Sequence, residues 1–157
     1  MKSLSSPNLN YYALFLLLCL SAFSVQVLAL ASSKELVLIQ DAWVRPSSPG
    51  QDVGAAYMTF LSRQDVMLIS IESDVTNSIE IHNMSMENGV MKMRMLETLA
   101  LKAGKPYQLS PGGFHLMLFD LKKPLNAGEQ VKFVLTFKKK NKAFFKQNVS
   151  AMVQAAY

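Results

Sequence analysis

Beyond residue 31, no long stretch of this chain repeats apolar residues at helical spacing; short alternating or β-branched runs recur instead between Gly, Pro, Asn and Asp punctuation. Side chains alternate across a strand with a period of two, so such runs specify strands, and the punctuation specifies the turns between them. The pattern predicts strands at about residues 36–45, 54–62, 66–73, 78–84, 90–96, 107–109, 114–118, 130–137 and 143–153. Turns are expected at residues 46–50, Asn88-Gly89, Ala103-Gly104, Pro111-Gly112-Gly113, residues 126–128 and Lys140-Asn141. No repeat or linker sets off a second domain, and many short strands at this spacing predict an all-β fold of two packed antiparallel sheets, a β-sandwich. Trp43, Tyr57, Phe60, Phe114, Phe133 and Phe137 are candidates for its core or inner rim.

The first 31 residues follow a different logic. Lys2, a polar stretch to Asn10, an apolar run over residues 11–23 and the small-residue exit Ala29-Leu30-Ala31 read as a cleaved secretory signal peptide, leaving a domain over residues 32–157. An uncleaved anchor is the competing reading, but Ser21, Ser24 and Gln26 interrupt the far end of the run. A lipid anchor would use Cys19, yet bulky Leu17 and Leu18 stand where small residues are expected. Cys19 is the only cysteine, so the exported domain holds no thiol and can form no disulfide. Outside the cytosol, where thiols are oxidised, methionine becomes the natural soft ligand.

The formal net charge of +5 loses one unit with Lys2. Lys138, Lys139, Lys140 and Lys142 cluster on what reads as a solvated hairpin tip, with an acidic protein or membrane surface as the alternative; export argues against nucleic acid.

Asn88-Gly89 fixes a register. Both central positions of a type I′ turn need positive φ, which Asn and Gly tolerate best. Pairing Glu87 with Val90 then sets Met86 opposite Met91, Met84 opposite Met93 and His82 opposite Met95, all on one face of the ribbon. Methionine also fills irregular cores, so an inward-facing methionine strand is the competing reading.

Each histidine in the chain has a methionine two residues later, in His82-Asn83-Met84 and His115-Leu116-Met117. On a strand, i and i+2 share a face and lie about 6–7 Å apart, close enough for flexible side chains to converge on one ion. Imidazole with thioether is a soft donor set that suits monovalent copper. Because ligating imidazole must be neutral, affinity is expected to fall below about pH 6.5.

Across these segments the spacing runs His82, ten residues, Met93, twenty-one residues, His115, one residue, Met117. This resembles the H-x10-M-x21-H-x-M signature of the periplasmic copper chaperone family PCuAC. Glu80-Ile81-His82, the run from Met86 to Arg94, the run from Pro111 to Leu118 and Leu121-Lys122-Lys123-Pro124-Leu125 agree with it. The resemblance extends more weakly to residues 41–45, 49–50 and 55–58. It implies a cupredoxin-like Greek-key β-sandwich binding Cu(I) through His82, Met93, His115 and Met117. The family is periplasmic, and after signal cleavage the domain is expected to be soluble and monomeric. Such a protein passes copper to an acceptor, cytochrome c oxidase subunit II or another copper chaperone, during assembly of the oxidase's dinuclear copper centre, or otherwise carries it through the periplasm. The hairpin register adds Met84 and Met86 as auxiliary ligands. Two features depart from the family pattern: residues 62–65 lack the Asn-Gly-like turn expected there, and the C-terminal hairpin is unusually lysine-rich.

A carrier carries out no net reaction, so no enzymatic activity is expected. The alternatives are a copper redox protein and a metal-free β-sandwich interaction module. The first is disfavoured because blue-copper sites need a cysteine thiolate and covalent haem needs C-x-x-C-H. Neither histidine stands in a recognisable hydrolytic pairing, and local sequence supplies no zinc motif.

Overall fold

The computed structural model describes residues 35–155. The signal peptide expected over residues 1–31, with Cys19 and the Ala29 and Ala31 exit, lies outside them. Ten strands follow in order: β1 (Val37–Val44), β2 (Gly54–Ser62), β3 (Val66–Ser73), β4 (Ser78–Glu87), β5 (Val90–Leu96), β6 (Leu99–Leu101), β7 (Pro106–Gln108), β8 (His115–Phe119), β9 (Gln130–Lys139) and β10 (Phe144–Val153).

Hydrogen bonds join the strands in the order β5-β4-β8-β2-β1-β10-β9-β3-β6, with β7 also on β2. All neighbours are antiparallel except β1 and β10, which run parallel and meet only at Trp43↔Met152 and Val44↔Val153. At this narrow junction the path folds over, so that β5-β4-β8-β2-β1 faces β10-β9-β3-β6 across one core. Period-two alternation supplies that core from both layers: Val37, Val44, Phe60, Leu116 and Leu118 from one, Leu68, Phe133, Leu135 and Phe137 from the other, all fully buried. Phe60 and Phe137 meet edge to face, with ring centroids 6.5 Å apart. Within β1, Asp41 takes a φ of 51° and shifts the register between Gln40 and Trp43, which lets Trp43 stack on Tyr57 at 4.3 Å.

The sequence reading and the structure differ in three places. β6 was not expected; three residues are too few to show alternation, and the strand exists because Leu99 and Leu101 bury themselves while pairing with Leu68 and Val66. β9 runs on to Lys139, two residues past the expected end, because Lys138 and Lys139 pair with Met67 and Val66 and lay their ammonium groups over Phe144 and Phe145. β4 runs to Glu87 rather than residue 84, for a reason that bears on the site. The turn of Lys140 and Asn141 is an exposed hairpin tip, as the sequence implied.

Candidate metal centre

Asn88 and Gly89 have φ angles of 53° and 77°, the positive pair that a type I′ turn demands. The turn sets the ladder expected from sequence: Glu87↔Val90, Met86↔Met91, Met84↔Met93 and His82↔Met95. In a two-residue hairpin the residues flanking the loop exchange hydrogen bonds, and pair types alternate from there. Met86/Met91, Met84/Met93 and His82/Met95 therefore fall at the non-hydrogen-bonded pairs, where opposing side chains stand closest.

β8 lies on the other side of β4, with His82↔His115 and Glu80↔Met117 in register. Direct cross-strand partners share a face. One face of three neighbouring strands thus carries Met91, Met93 and Met95 from β5, Glu80, His82, Met84 and Met86 from β4, and His115 and Met117 from β8. The opposite face of β4 and β8 presents Ile81, Leu116 and Leu118 to the core. The four residues of the spacing signature occupy this single outer face.

From Asn83 onward β4 keeps β5 as its only ladder partner among the described residues, and the ribbon extends past the core. Its other face carries no apolar layer there. Lys92 Nζ and Arg94 Nη2 donate to the Glu87 carboxylate at 2.8 and 3.0 Å, and Lys92's hydrogen bond, with the Arg94 charge, holds the Glu87 carboxyl below its usual range. A core explanation for the methionines fails on this geometry: Met86, Met91, Met93 and Met95 are 49–65% exposed. Met84 and Met117 are half-buried, Met117 lining a shallow hollow with Arg45, Val53 and Ala55.

The two imidazoles stand 5.8 Å apart between ring centroids. Their planes are inclined by 50°. Each ring is held at one nitrogen. His115, buried to 5% exposure, donates from Nδ1 to the Gly113 carbonyl at 3.0 Å, which leaves its Nε2 lone pair free. His82 donates from Nε2 to Glu80 Oε2 at 2.7 Å; a carboxylate can only accept, so the proton sits on Nε2 and the lone pair on Nδ1. His82 Nδ1 is buried and has no hydrogen-bond partner among the described residues. A buried acceptor left unmet costs about 1–3 kcal/mol, which an ion at that nitrogen would recover.

The Gly113 carbonyl also accepts the Met84 backbone N–H at 3.3 Å, which ties the segment ahead of His115 to the strand bearing His82. Phe119 packs on the His82 ring at 6.1 Å. Among the described residues no group of three or more His, Cys, Asp or Glu side chains could hold a metal ion. Beside the histidine pair and Glu80, the donor side chains on this face are methionine thioethers, soft donors of the kind that copper accepts.

Sequence reasoning missed Glu80 and the Gly113 carbonyl as the groups that orient the rings. Glu80 carried a usable signal, since at i−2 on a strand it shares a face with His82. Gly113 carried none, because a carbonyl acceptor belongs to no residue type.

Comparisons with known proteins agree with this architecture. The family model described as "Putative lipoprotein LpqE-like" matches residues 37–149. A protein of Leifsonia xyli subsp. xyli named "Putative lipoprotein Lxx21020" is 28% identical over 102 residues, covering 64% of this chain and 61% of that one. The chain spans about three fifths of the length of the curated relatives it matches. Among solved structures, the copper-bound PCuAC domain from PmoF2 superposes with a TM-score of 0.62 at 20% identity, covering 78% of this chain and 95% of that one. The copper(I) form of DR1885 from Deinococcus radiodurans superposes at 0.56 with 29% identity, covering 74% and 76%. The fold is therefore the cupredoxin-like β-sandwich of PCuAC domains.

Proposed function

We propose that this chain, which belongs to the LpqE-like family, is an exported carrier that binds Cu(I) through His82, Met93, His115 and Met117 and hands it to a partner protein. The observation that carries the reading is the histidine pair. Each imidazole is fixed at one nitrogen by a protein acceptor, the other nitrogen is left with its lone pair, and one of the two is buried without a partner. Metal-binding histidines are oriented in this way by carboxylates and backbone carbonyls. The neighbouring donors are thioethers, and two proteins of the same fold, the PCuAC domain from PmoF2 and DR1885, have copper-bound structures.

In this reading the copper is cargo. The buried His115 and the half-buried His82 form the fixed inner side of the site, and the exposed Met93 on edge strand β5 forms its open side. Thioethers bind weakly and exchange readily, so an acceptor can replace Met93 first while the imidazoles still hold the ion. We assign the acceptor to the dinuclear copper centre of cytochrome c oxidase, reached through its subunit II or through another copper chaperone. Met84 and Met86 are not needed to complete the set. We further propose that the protein acts in the periplasm as a soluble monomer released after Ala31. The lipoprotein name carried by its family bears on Cys19, and the mature N-terminus tests it.

The deciding experiment is anaerobic Cu(I) titration against a competing chelator, with X-ray absorption to count sulfur and nitrogen neighbours. A mixed sulfur and nitrogen shell, lost in His115→Ala and weakened in Met93→Ala, is expected. Unchanged affinity in both variants would overturn the ligand set.

A further inference from the structure

Three methionines of the outer face are left over at the far end of the hairpin. Met86 and Met91 are direct partners at the pair next to the turn, and Met84 lies on the diagonal from Met91. Their Cα atoms stand about 4.5 Å apart across the pair and about 7–8 Å along the diagonal, within reach of unbranched side chains with three rotatable bonds. Met86 and Met91 are 65% and 55% exposed, Met91 on edge strand β5 and Met86 on the stretch of β4 that pairs with β5. An apolar edge of this kind invites association and has no packing role to justify it.

We propose that Met84, Met86 and Met91 form a second Cu(I) site, built from thioethers alone, at the tip of the β4–β5 hairpin. Three neutral sulfurs suit a monovalent soft ion and give no advantage to divalent zinc or copper, which favour imidazole or anionic donors. Without an imidazole the tip site is weaker than the inner one and fills second. Met93 shares a rung with Met84, between the Met86/Met91 pair and His82, and rungs two residues apart are about 6.8 Å apart. The tip is the station at which copper enters or leaves the inner site. This placement deepens the carrier reading and rests on it.

The test is anaerobic Cu(I) titration of the mature chain with methyl-labelled methionine, followed by NMR and by chelator competition. Two equivalents are expected: the Met93 and Met117 methyls shift during the first, and the Met86 and Met91 methyls during the second. In the double variant Met86→Leu, Met91→Leu, which conserves side-chain volume at exposed positions, uptake should fall to one equivalent with inner-site affinity unchanged. One equivalent in the wild type with the Met86 and Met91 methyls unmoved overturns the tip site alone. Two equivalents retained in the double variant overturn it as well. No uptake at all overturns the carrier reading itself.

Discussion

Replacing Glu80 with glutamine should weaken Cu(I) binding about tenfold without touching a ligand. The carboxylate does two things in the structure: it takes the Nε2 proton of His82 at 2.7 Å, leaving Nδ1 as the donor nitrogen, and it places a negative charge behind the ring. The path from its oxygen to an ion on Nδ1 crosses that hydrogen bond, the imidazole and one metal–nitrogen bond, about 6 Å in a straight line. Opposite unit charges at that distance attract by ~0.7 kcal/mol in water and by ~3 kcal/mol at an effective dielectric of 20. The Glu80 side chain is 35% exposed, so solvent screening brings the figure toward the lower end, about 1–1.5 kcal/mol. That is close to a tenfold change in Kd. Glutamine preserves shape but removes the charge, and its amide can donate to Nε2, moving the proton to Nδ1 and blocking the lone pair. The assay is competitive Cu(I) titration of wild type and Glu80→Gln at low and high salt, where the gap should narrow with ionic strength. A Kd within about twofold of wild type at low salt would refute the orienting role and with it the choice of Nδ1.

Leu116→Ala separates the two faces of β8. Leu116 is fully buried between the two candidate ligands but points into the core. The variant should lose about 2–5 kcal/mol of stability in chemical denaturation yet keep Cu(I) affinity when folded; loss of affinity in a folded sample would argue against the assigned faces. Acid sensitivity follows from three carboxylates, one exposed and two half-buried, held below their ordinary values: Asp65 chiefly by the Ala103 backbone N–H, Glu87 by Lys92, and Glu129 by the Asn126 amide. A depressed folded-state value contributes stability that is fully present above the unfolded value, 3.8 for Asp65 and 4.5 for the glutamates, and is lost as pH falls through the folded one. Glu87→Gln should therefore flatten part of the decline in Tm below about pH 4.5, and an identical pH profile would contradict the assignment. Intact-mass analysis of exported protein should find Ser32 at the mature N-terminus; a lipid-modified Cys19 would replace the soluble reading with an anchored one.

Much of the site was legible locally. Asn88-Gly89 dictated a hairpin, the hairpin dictated the register, and the register placed His82 with Met84, Met86, Met91, Met93 and Met95 on one face. The H-x-M spacing put His115 and Met117 together once their segment was a strand. These inferences use interactions that span a handful of residues: the φ preferences of two turn positions and the two-residue period of a pleated chain. The short β6 and the parallel β1–β10 contact gave no comparable signal. Both arise from the need to bury Leu99, Leu101, Val44 and Val153 against residues distant in the chain.

By itself, then, the order of amino acids determined nine of the ten strands, the hairpin ladder and the soft chemistry of its side chains. Tertiary structure alone decided that β8 should lie beside β4 with His115 facing His82, since strand pairing across that distance is chosen by how the whole core closes. It also decided that the ribbon outruns the core beyond Asn83, which leaves its methionines in solvent. The lone pairs offered by the two rings are fixed by Glu80 and by a backbone carbonyl at Gly113, which the packing of its loop against β4 holds at the His115 ring.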